Sequence, residues 1–283
     1  MRKQLFKGNQ LVLDGILMNI HPNAVIESGA ELDSSVKVGA YAVIEKGVQI
    51  AADTVVGPHA VISGTTTIGE RNYIASFATV GGAPQDLKYN NEDTRVVIGS
   101  DNRIREYVSI HRGTPSGTGV TTIGDKNMIM AYCHIAHDCT VGNENILANC
   151  ATLGGHVQIA DHVNLSGMVG IHQFTRIGSY TYIGGMSGIS KDVPPFVIAS
   201  GVRNKLRITG INKIGLKRCG YDNEIIRKVN QAFVYIFRTP NLLLNEALDK
   251  VIEEFPDCEP VAVMVNFFRE PNRMGVLRKV DGD

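Results

Sequence analysis

The densest run of groups able to move a proton is Cys133-His134-Ile135-Ala136-His137-Asp138-Cys139. It places two imidazoles, which titrate near neutrality, and a carboxylate within five residues. Two further imidazoles follow at His156 and His172, the second beside Gln173, while Gln85, Asp86 and Lys88 form a polar cluster upstream. A single His on a protein face is usually a solvated bystander, so these positions carry weight only if the fold gathers them. Zinc is the rival use of three His, but an isolated H-x-x-H is a weak metal signal and no metal or cofactor is expected. Cys133, Cys139 and Cys150 are expected to fill inward or corner slots as small hydrophobes.

A second feature is electrostatic. Between Val193 and Tyr221 there is no Asp or Glu, while Arg203, Lys205, Arg207, Lys213, Lys217 and Arg218 all fall there. Such a run is commonly a solvated face; beside a cleft it also suits phosphates or an acidic carrier protein.

What must position these groups is a repeat of six. Aliphatic residues recur at Ile20, Ile26, Leu32, Val38, Ile44, Ile50, Val56, Ile62, Ile68, Ile74 and Val80, resume at Ile98, Ile104 and Ile110, and run again from Ile123 through Ile135, Leu153 and Ile171 to Ile189. A helix wants period 3.6 and an exposed sheet wants period 2, so period 6 means short strands wound about an axis. Three hexads close one coil, and coils stack at the ordinary strand spacing of about 4.8 Å. The fold expected is a parallel β-helix over residues 20–200, roughly ten coils at that spacing. Small or β-branched residues such as Ala42, Thr54, Ala60 and Ala151 supply a second inward position. Gly39, Gly57, Gly69, Gly99, Gly124 and Gly142, several opening a Gly-x-x-Asn turn, are expected at corners that need positive φ.

On this scaffold His137 and His156 are separated by one coil plus one residue (156 − 137 = 19), and His172 follows somewhat less than a coil later (172 − 156 = 16). The expectation is an imidazole ladder on three successive coils. Two stretches break the repeat, near Gly81 to Arg95 and His111 to Thr121, and long excursions from a rigid scaffold tend to carry function. From about residue 221 the period becomes helical. Asp222 is expected to cap a helix with Ile226, Val229, Phe233 and Ile236 inward, followed by segments around Leu248 and Val265. The organisation is therefore an extension at 1–19, the β-helix at 20–200, a connecting segment at 201–220 and a small helical domain at 221–283.

Composition fits. The 283 residues balance 28 Lys+Arg against 28 Asp+Glu, which gives no support for a basic nucleic-acid binder, and 43% hydrophobic content fills a sizeable core. Five Cys without a CxxC pair do not suggest a disulfide framework. No export signal or bilayer-length apolar run is recognised, so a soluble, cytoplasmic protein is expected.

The hexads together with Gln85-Asp86-Leu87-Lys88-Tyr89, Ser109-Ile110-His111-Arg112-Gly113, His134 to Cys139, Gly155-His156, His172-Gln173-Phe174, Asp192-Val193-Pro194-Pro195 and Gly215-Leu216-Lys217-Arg218 resemble the acyl-carrier-protein-dependent UDP-N-acetylglucosamine O-acyltransferases that begin lipid A synthesis. The resemblance covers about residues 18 to 275. It implies a left-handed β-helix, a homotrimer with active sites between subunits, and two partners: acyl carrier protein bearing a 3-hydroxyacyl thioester, and the sugar nucleotide. It implies that His137 is the general base, Asp138 its orienting partner and the Gly155 N–H an oxyanion donor. Asp86, Lys88, His134, His156 and Gln173 would surround the sugar and pyrophosphate, and Gln85 and His172 would also bind substrate. Asn212 and Arg218 would lie toward the uridine, and Gly185 would act as an acyl-length ruler.

Two positions depart from the family pattern: Ile214, where an acid is usual, and Cys219, where a second Arg is usual. They leave open a 3-amino acceptor in place of the 3-hydroxyl. Two rivals remain: a sister N-acyltransferase of the same pathway, which usually carries a larger domain before its helix, and a non-catalytic β-helix scaffold.

Overall fold

A computed structural model describes residues 4–7, 10–13, 16–17, 19–278 and 280, with side chains for residues 19–278 and 280 other than Arg203. The chain forms two compact units, residues 1–139 and 140–283. Each is built on a left-handed parallel β-helix, the winding the hexads imply with the hand the family resemblance implies.

In the first unit one coil is Val25–Ile26, Glu31–Leu32 and Lys37–Val38, and the next begins at Val43–Ile44. Parallel pairing joins positions three hexads apart, such as Val25 with Val43 and Val43 with Val61. Ile20 is exposed and Ile26 and Leu32 are half-buried at the first coil, but beyond it the inward residue is closed off from solvent: Ile44, Ile62, Ile74, Val80, Ile104, Ile110, Ile129 and Ile135 are all 0% exposed. Each contributes about 1.5–3 kcal/mol by burial. The two excursions appear as jumps in register. Thr79 pairs with Ser109 and Ser109 with His134, each partner lying well beyond the three hexads of an uninterrupted coil. Ahead of the repeat, Gln4–Lys7, Gln10–Leu13 and Ile16–Leu17 form a small antiparallel sheet.

The corner glycines have a different cause from the one expected. None of Gly39, Gly57, Gly69 or Gly99 has positive φ; the left-handed residue falls two places later, at Tyr41 (φ 59), His59 (φ 59), Arg71 (φ 54) and Asp101 (φ 61). What excludes a side chain is the next coil. A Cβ on Gly39 would lie 2.6 Å from Pro58 N, on Gly57 2.8 Å from Ser76 N, and on Gly69 2.6 Å from Gly99 O. The asparagines of the Gly-x-x-Asn turns also face inward. Asn102 donates Nδ2 to Gly124 O at 2.8 Å, and its Oδ1 accepts the Asn127 N–H at 2.8 Å. Asn72 Oδ1 in turn accepts the Asn102 N–H at 2.9 Å, making a buried ladder.

In the second unit the same winding runs from Thr140–Val141 to Gly188–Ile189, with Leu147, Leu153, Leu165 and Ile183 inward and fully buried. The stretch 201–220, read from the sequence as a connection, holds structure of its own. Arg207–Ile211 pairs antiparallel with Val197–Ser200, and Lys213–Arg218 is helix α1. Three longer helices follow: α2 (Asn223–Arg238), α3 (Leu244–Glu254) and α4 (Glu259–Arg269). The Asp222 carboxylate caps α2 by accepting the Ile225 N–H at 2.7 Å, and Ile226, Val229, Phe233 and Ile236 are buried. Arg176 ties the coils to α4, pairing with buried Asp192 at 2.8 Å and with Glu270 at 2.9 Å and lying over the Phe267 ring.

Asn102→Ala removes the middle of the Asn ladder and strands a buried N–H and a buried carbonyl. It should lower unfolding free energy by about 1–3 kcal/mol, read from the midpoint of chemical denaturation. An unchanged midpoint would count against the ladder as a stabilising element.

Candidate active site

In the first unit the hexad decides where the chemistry sits. Ile135 points inward, and the chain then turns its corner at Asp138, which has φ 59. Adjacent strand residues would diverge, but this corner brings His137 Nδ1 to 2.8 Å from Asp138 Oδ2. The Asp138 side chain is fully buried and that of His137 is 15% exposed. An Nδ1–H donated to a carboxylate puts the imidazole lone pair on Nε2, the arrangement a general base requires.

Two more imidazoles belong to this cluster. Ser109 and His134 are paired on adjacent strands, and Ser109 Oγ lies 2.8 Å from His134 Nδ1. The His111 ring packs edge-on against His134 with centroids 4.9 Å apart. Burial, with smaller contributions from His134, His137 and Arg112, pushes the His111 pKa down to about 4, and burial together with His137 lowers that of His134. Both rings are thus neutral at physiological pH. His111 Nδ1 is also buried without a hydrogen-bond partner.

The excursion bearing Gln85, Asp86 and Lys88 is rooted beside this cluster. A Cβ on Gly82, at its start, would lie 3.7 Å from the His111 ring. Asp86 Oδ1 accepts the Lys88 N–H at 2.9 Å in a tight turn. Arg112 donates Nε to the Tyr89 hydroxyl at 2.8 Å and Nη1 to Gly81 O at 2.9 Å, fastening the loop. Gln85 and Lys88 are exposed at its tip.

The second unit holds the remaining candidates. His156 occupies a corner at φ 62, and buried Gly155 precedes it. The ring stacked on His156 is that of Phe174, 4.4 Å away, with the Arg273 guanidinium 3.6 Å from the Phe174 centroid. His172 is not in this column: it is exposed, and its Nδ1 lies 3.1 Å from Gln173 O. The expected His156–His172 rung is therefore replaced by His156–Phe174, because stacked rings must stand three full hexads apart and His172 falls two places short. Gln173 is exposed.

Asn212 and Arg218 line a cavity of about 450 Å³ in this unit, together with Ile214, Cys219, His162 and Glu144. Asn212 caps α1 through its Oδ1, which accepts the Gly215 N–H, and donates Nδ2 to Tyr180 O at 2.9 Å. His162 Nδ1 is 3.6 Å from Glu144 Oε2 and 3.9 Å from Cys219 Sγ. Burial and then Glu144 push the Cys219 thiol up, so it stays protonated. Gly185 is exposed, beside exposed Met186; its Cβ would meet only Gly167 O at 3.4 Å and Ser166 Cβ at 3.8 Å, so packing does not require glycine there.

The sequence motifs include Ser109 and His111 without marking either as a site residue. The available signal is register: Ser109 and His111 alternate on a strand that pairs with His134. The Arg203 side chain, part of the cationic run, lies outside the described residues.

Family profiles described as "Udp N-acetylglucosamine O-acyltransferase; Domain 2" and "Bacterial transferase hexapeptide (six repeats)" match residues 192–277 and 121–155. An acyl-[acyl-carrier-protein]–UDP-N-acetylglucosamine O-acyltransferase from Thermodesulfovibrio yellowstonii is 49% identical over 92% of this chain and 99% of its own. The solved UDP-N-acetylglucosamine acyltransferase of Francisella novicida aligns with a TM-score of 0.88 at 36% identity, covering 93% of this chain and 95% of the other. That of Campylobacter jejuni gives 0.85 at 41%, covering 91% and 98%.

A base whose folded pKa is depressed makes the folded state harder to protonate than the unfolded chain. Stability contributed by neutral His111 should therefore fall as pH drops from about 6.5 towards 4 and level off below. An NMR titration should keep the His111 ring neutral to about pH 4. Denaturation curves compared with His111→Gln should lose stability over the same window. A midpoint near 6.5 would contradict the buried, crowded environment.

Proposed function

The chain belongs to the UDP-N-acetylglucosamine O-acyltransferase family, and from that footing we propose that it transfers a 3-hydroxyacyl group from acyl carrier protein to UDP-N-acetylglucosamine, the first step of lipid A biosynthesis, with His137 as the general base. The observation that carries the base assignment is the His137 Nδ1 to Asp138 Oδ2 contact of 2.8 Å. With the ring proton held toward Asp138, Nε2 takes the proton of the sugar 3-hydroxyl as that oxygen attacks the thioester carbonyl. The tetrahedral oxyanion collapses, the C–S bond breaks, and the departing thiolate takes the proton back from His137. No covalent enzyme intermediate is needed.

Neutral His111 and His134 support this assignment, since uncharged neighbours do not oppose protonation of His137. Gly155 stands three hexads after His137 in the sequence (155 − 137 = 18) and is assigned as the oxyanion donor, a role usually contributing about 10² to 10³ in rate. Asp86, Lys88, His134, His156 and Gln173 are assigned to the sugar and pyrophosphate, Gln85 and His172 to substrate binding, and Asn212 and Arg218 to the uridine end. Acyl carrier protein is the second partner, and a homotrimer with sites shared between subunits is the assembly. The room at Gly185 supports a longer acyl chain.

Incubating the purified protein with 3-hydroxyacyl carrier protein and UDP-N-acetylglucosamine should yield the O-acylated nucleotide, and running a 3-amino acceptor in parallel settles the ring-3 substituent. His137→Ala with its fold intact should lower kcat by about 10² to 10⁴; undiminished turnover would remove His137 from the mechanism. Gly185→Met should shift preference toward shorter acyl chains in a competition assay, and an unchanged preference would dispose of the ruler.

A further inference from the structure

The excursion between Ser109–His111 and Val120–Ile123 closes over the Asp138 carboxylate. Thr114 donates its N–H and its hydroxyl to Asp138 Oδ2, at 3.0 and 2.6 Å. The N–H groups of Thr118 and Gly119 reach Oδ1 at 2.9 and 3.1 Å, and the Thr118 hydroxyl shares its one proton between Val120 O at 2.8 Å and Oδ1 at 3.2 Å. The Asp138 backbone is held as well, its N–H donating to buried Thr121 Oγ1 at 2.9 Å. Every one of these groups facing the carboxylate is a donor, so the nest accommodates its ionised form. Glycine is required for the closure: a Cβ on Gly117 would fall 2.4 Å from Asp138 Cγ, and one on Gly113 2.2 Å from Gly119 C.

Earlier coils of the first unit, from Val25 to Val61, complete a turn in three hexads without such an insertion, so winding alone does not demand it. What the insertion adds is a set of donors fixed on one carboxylate, which also meets the His137 ring. Oδ2 serves the Thr114 hydroxyl and His137 Nδ1 together.

We infer that Thr114, with Thr118, is a positioning residue for the acyl transfer: the loop locks the Asp138 carboxylate so that it holds the His137 ring in the orientation and tautomer that direct Nε2 at the acceptor. This rests on His137 being the base. Neither threonine is asked to touch substrate. Losing the Thr114 hydroxyl should leave Oδ2 less saturated, let it reorient, and make it a stronger acceptor for the His137 Nδ1–H.

Thr114→Val should therefore lower kcat on the order of tenfold, with the KM of both substrates within about twofold and the melting temperature near wild type. The His137 Nδ1–H proton resonance should move downfield. Thr114→Ser, which restores the hydroxyl, should recover most of the lost turnover. Wild-type kcat in Thr114→Val, a loss carried by KM, or a serine variant as slow as the valine one would each overturn the inference. If Thr114→Val does not fold, Thr118→Val, at an exposed position acting on Oδ1, decides the matter: a kcat-only loss supports the role and wild-type turnover ends it. His137→Ala run alongside separates the two readings. If it turns over normally, the base assignment falls; if it is silent while Thr114→Val is as fast as wild type, only the positioning role falls.

Discussion

Strand spacing governs this molecule. Successive coils must stack at about 4.8 Å for their backbones to pair, and at the glycine corners that spacing leaves no volume for a side chain two places before the left-handed residue, whereas the corners at Phe77 and Tyr107 carry Ala75 and Arg105 there. The consequence is a division of roles within three residues. Gly39, Gly57 and Gly69 give up their side chains to let the neighbouring coil pass, and the residue two places later takes the left-handed conformation instead. A non-glycine residue held there costs about 1–2 kcal/mol, which the buried isoleucine column and the paired backbone offset. Side chains at these corners emerge at regular intervals, which is why rings stack along them: Tyr41, His59, Phe77, Tyr107 and Tyr132 follow one another at centroid spacings of 4.9–5.1 Å.

Corners are also where the proposed chemistry lies. Asp138 and His156 are both left-handed corner residues. A strand position could not have served Asp138, because alternation would have sent it away from His137. The corner supplies the geometry that brings His137 and Asp138 together, and the loop donors hold the carboxylate of this proposed catalytic pair. Around it, Ser109, His111 and His134 add polarity, and the two rings add no charge.

The fold is legible because its signal is one-dimensional: the same aliphatic type recurs at each sixth position, and every inward residue so identified among the described side chains of the middle coils is buried. The cluster at 134–138 is legible for a related reason, since a short motif carries both partners. What escapes is everything set by contact across coils. The corner glycines are imposed by steric proximity to a neighbouring coil, which composition cannot separate from a need for positive φ. The His156–His172 rung fails because a two-residue offset moves a side chain off the corner, and Phe174 takes the place. Within 201–220 the Lys and Arg residues obscure a short apolar series, Leu206, Ile208 and Ile211, that marks a strand. The threonines over Asp138 cannot be inferred from spacing, because an excursion has no period.

The same reasoning bears on Ile214 and Cys219, where the family pattern has an acid and a base. Both line the cavity with Arg218, and the Cys219 thiol is kept neutral by burial and by Glu144. Relative to that pattern, one negative and one positive charge have gone together, so the net charge of the cavity wall is unchanged while two directional partners are lost. Long-range attraction for a phosphorylated ligand depends on the sum and is retained; discrimination among groups at the cavity wall depends on individual donors and acceptors and is not. The Asn212 amide is held in place, its carbonyl capping α1 and one of its two N–H donors reaching Tyr180 O. On the proposed assignment of this cavity to the uridine end, the change at these two positions bears on how the nucleotide is read, and it involves neither His137 nor Asp138, the proposed base and its partner.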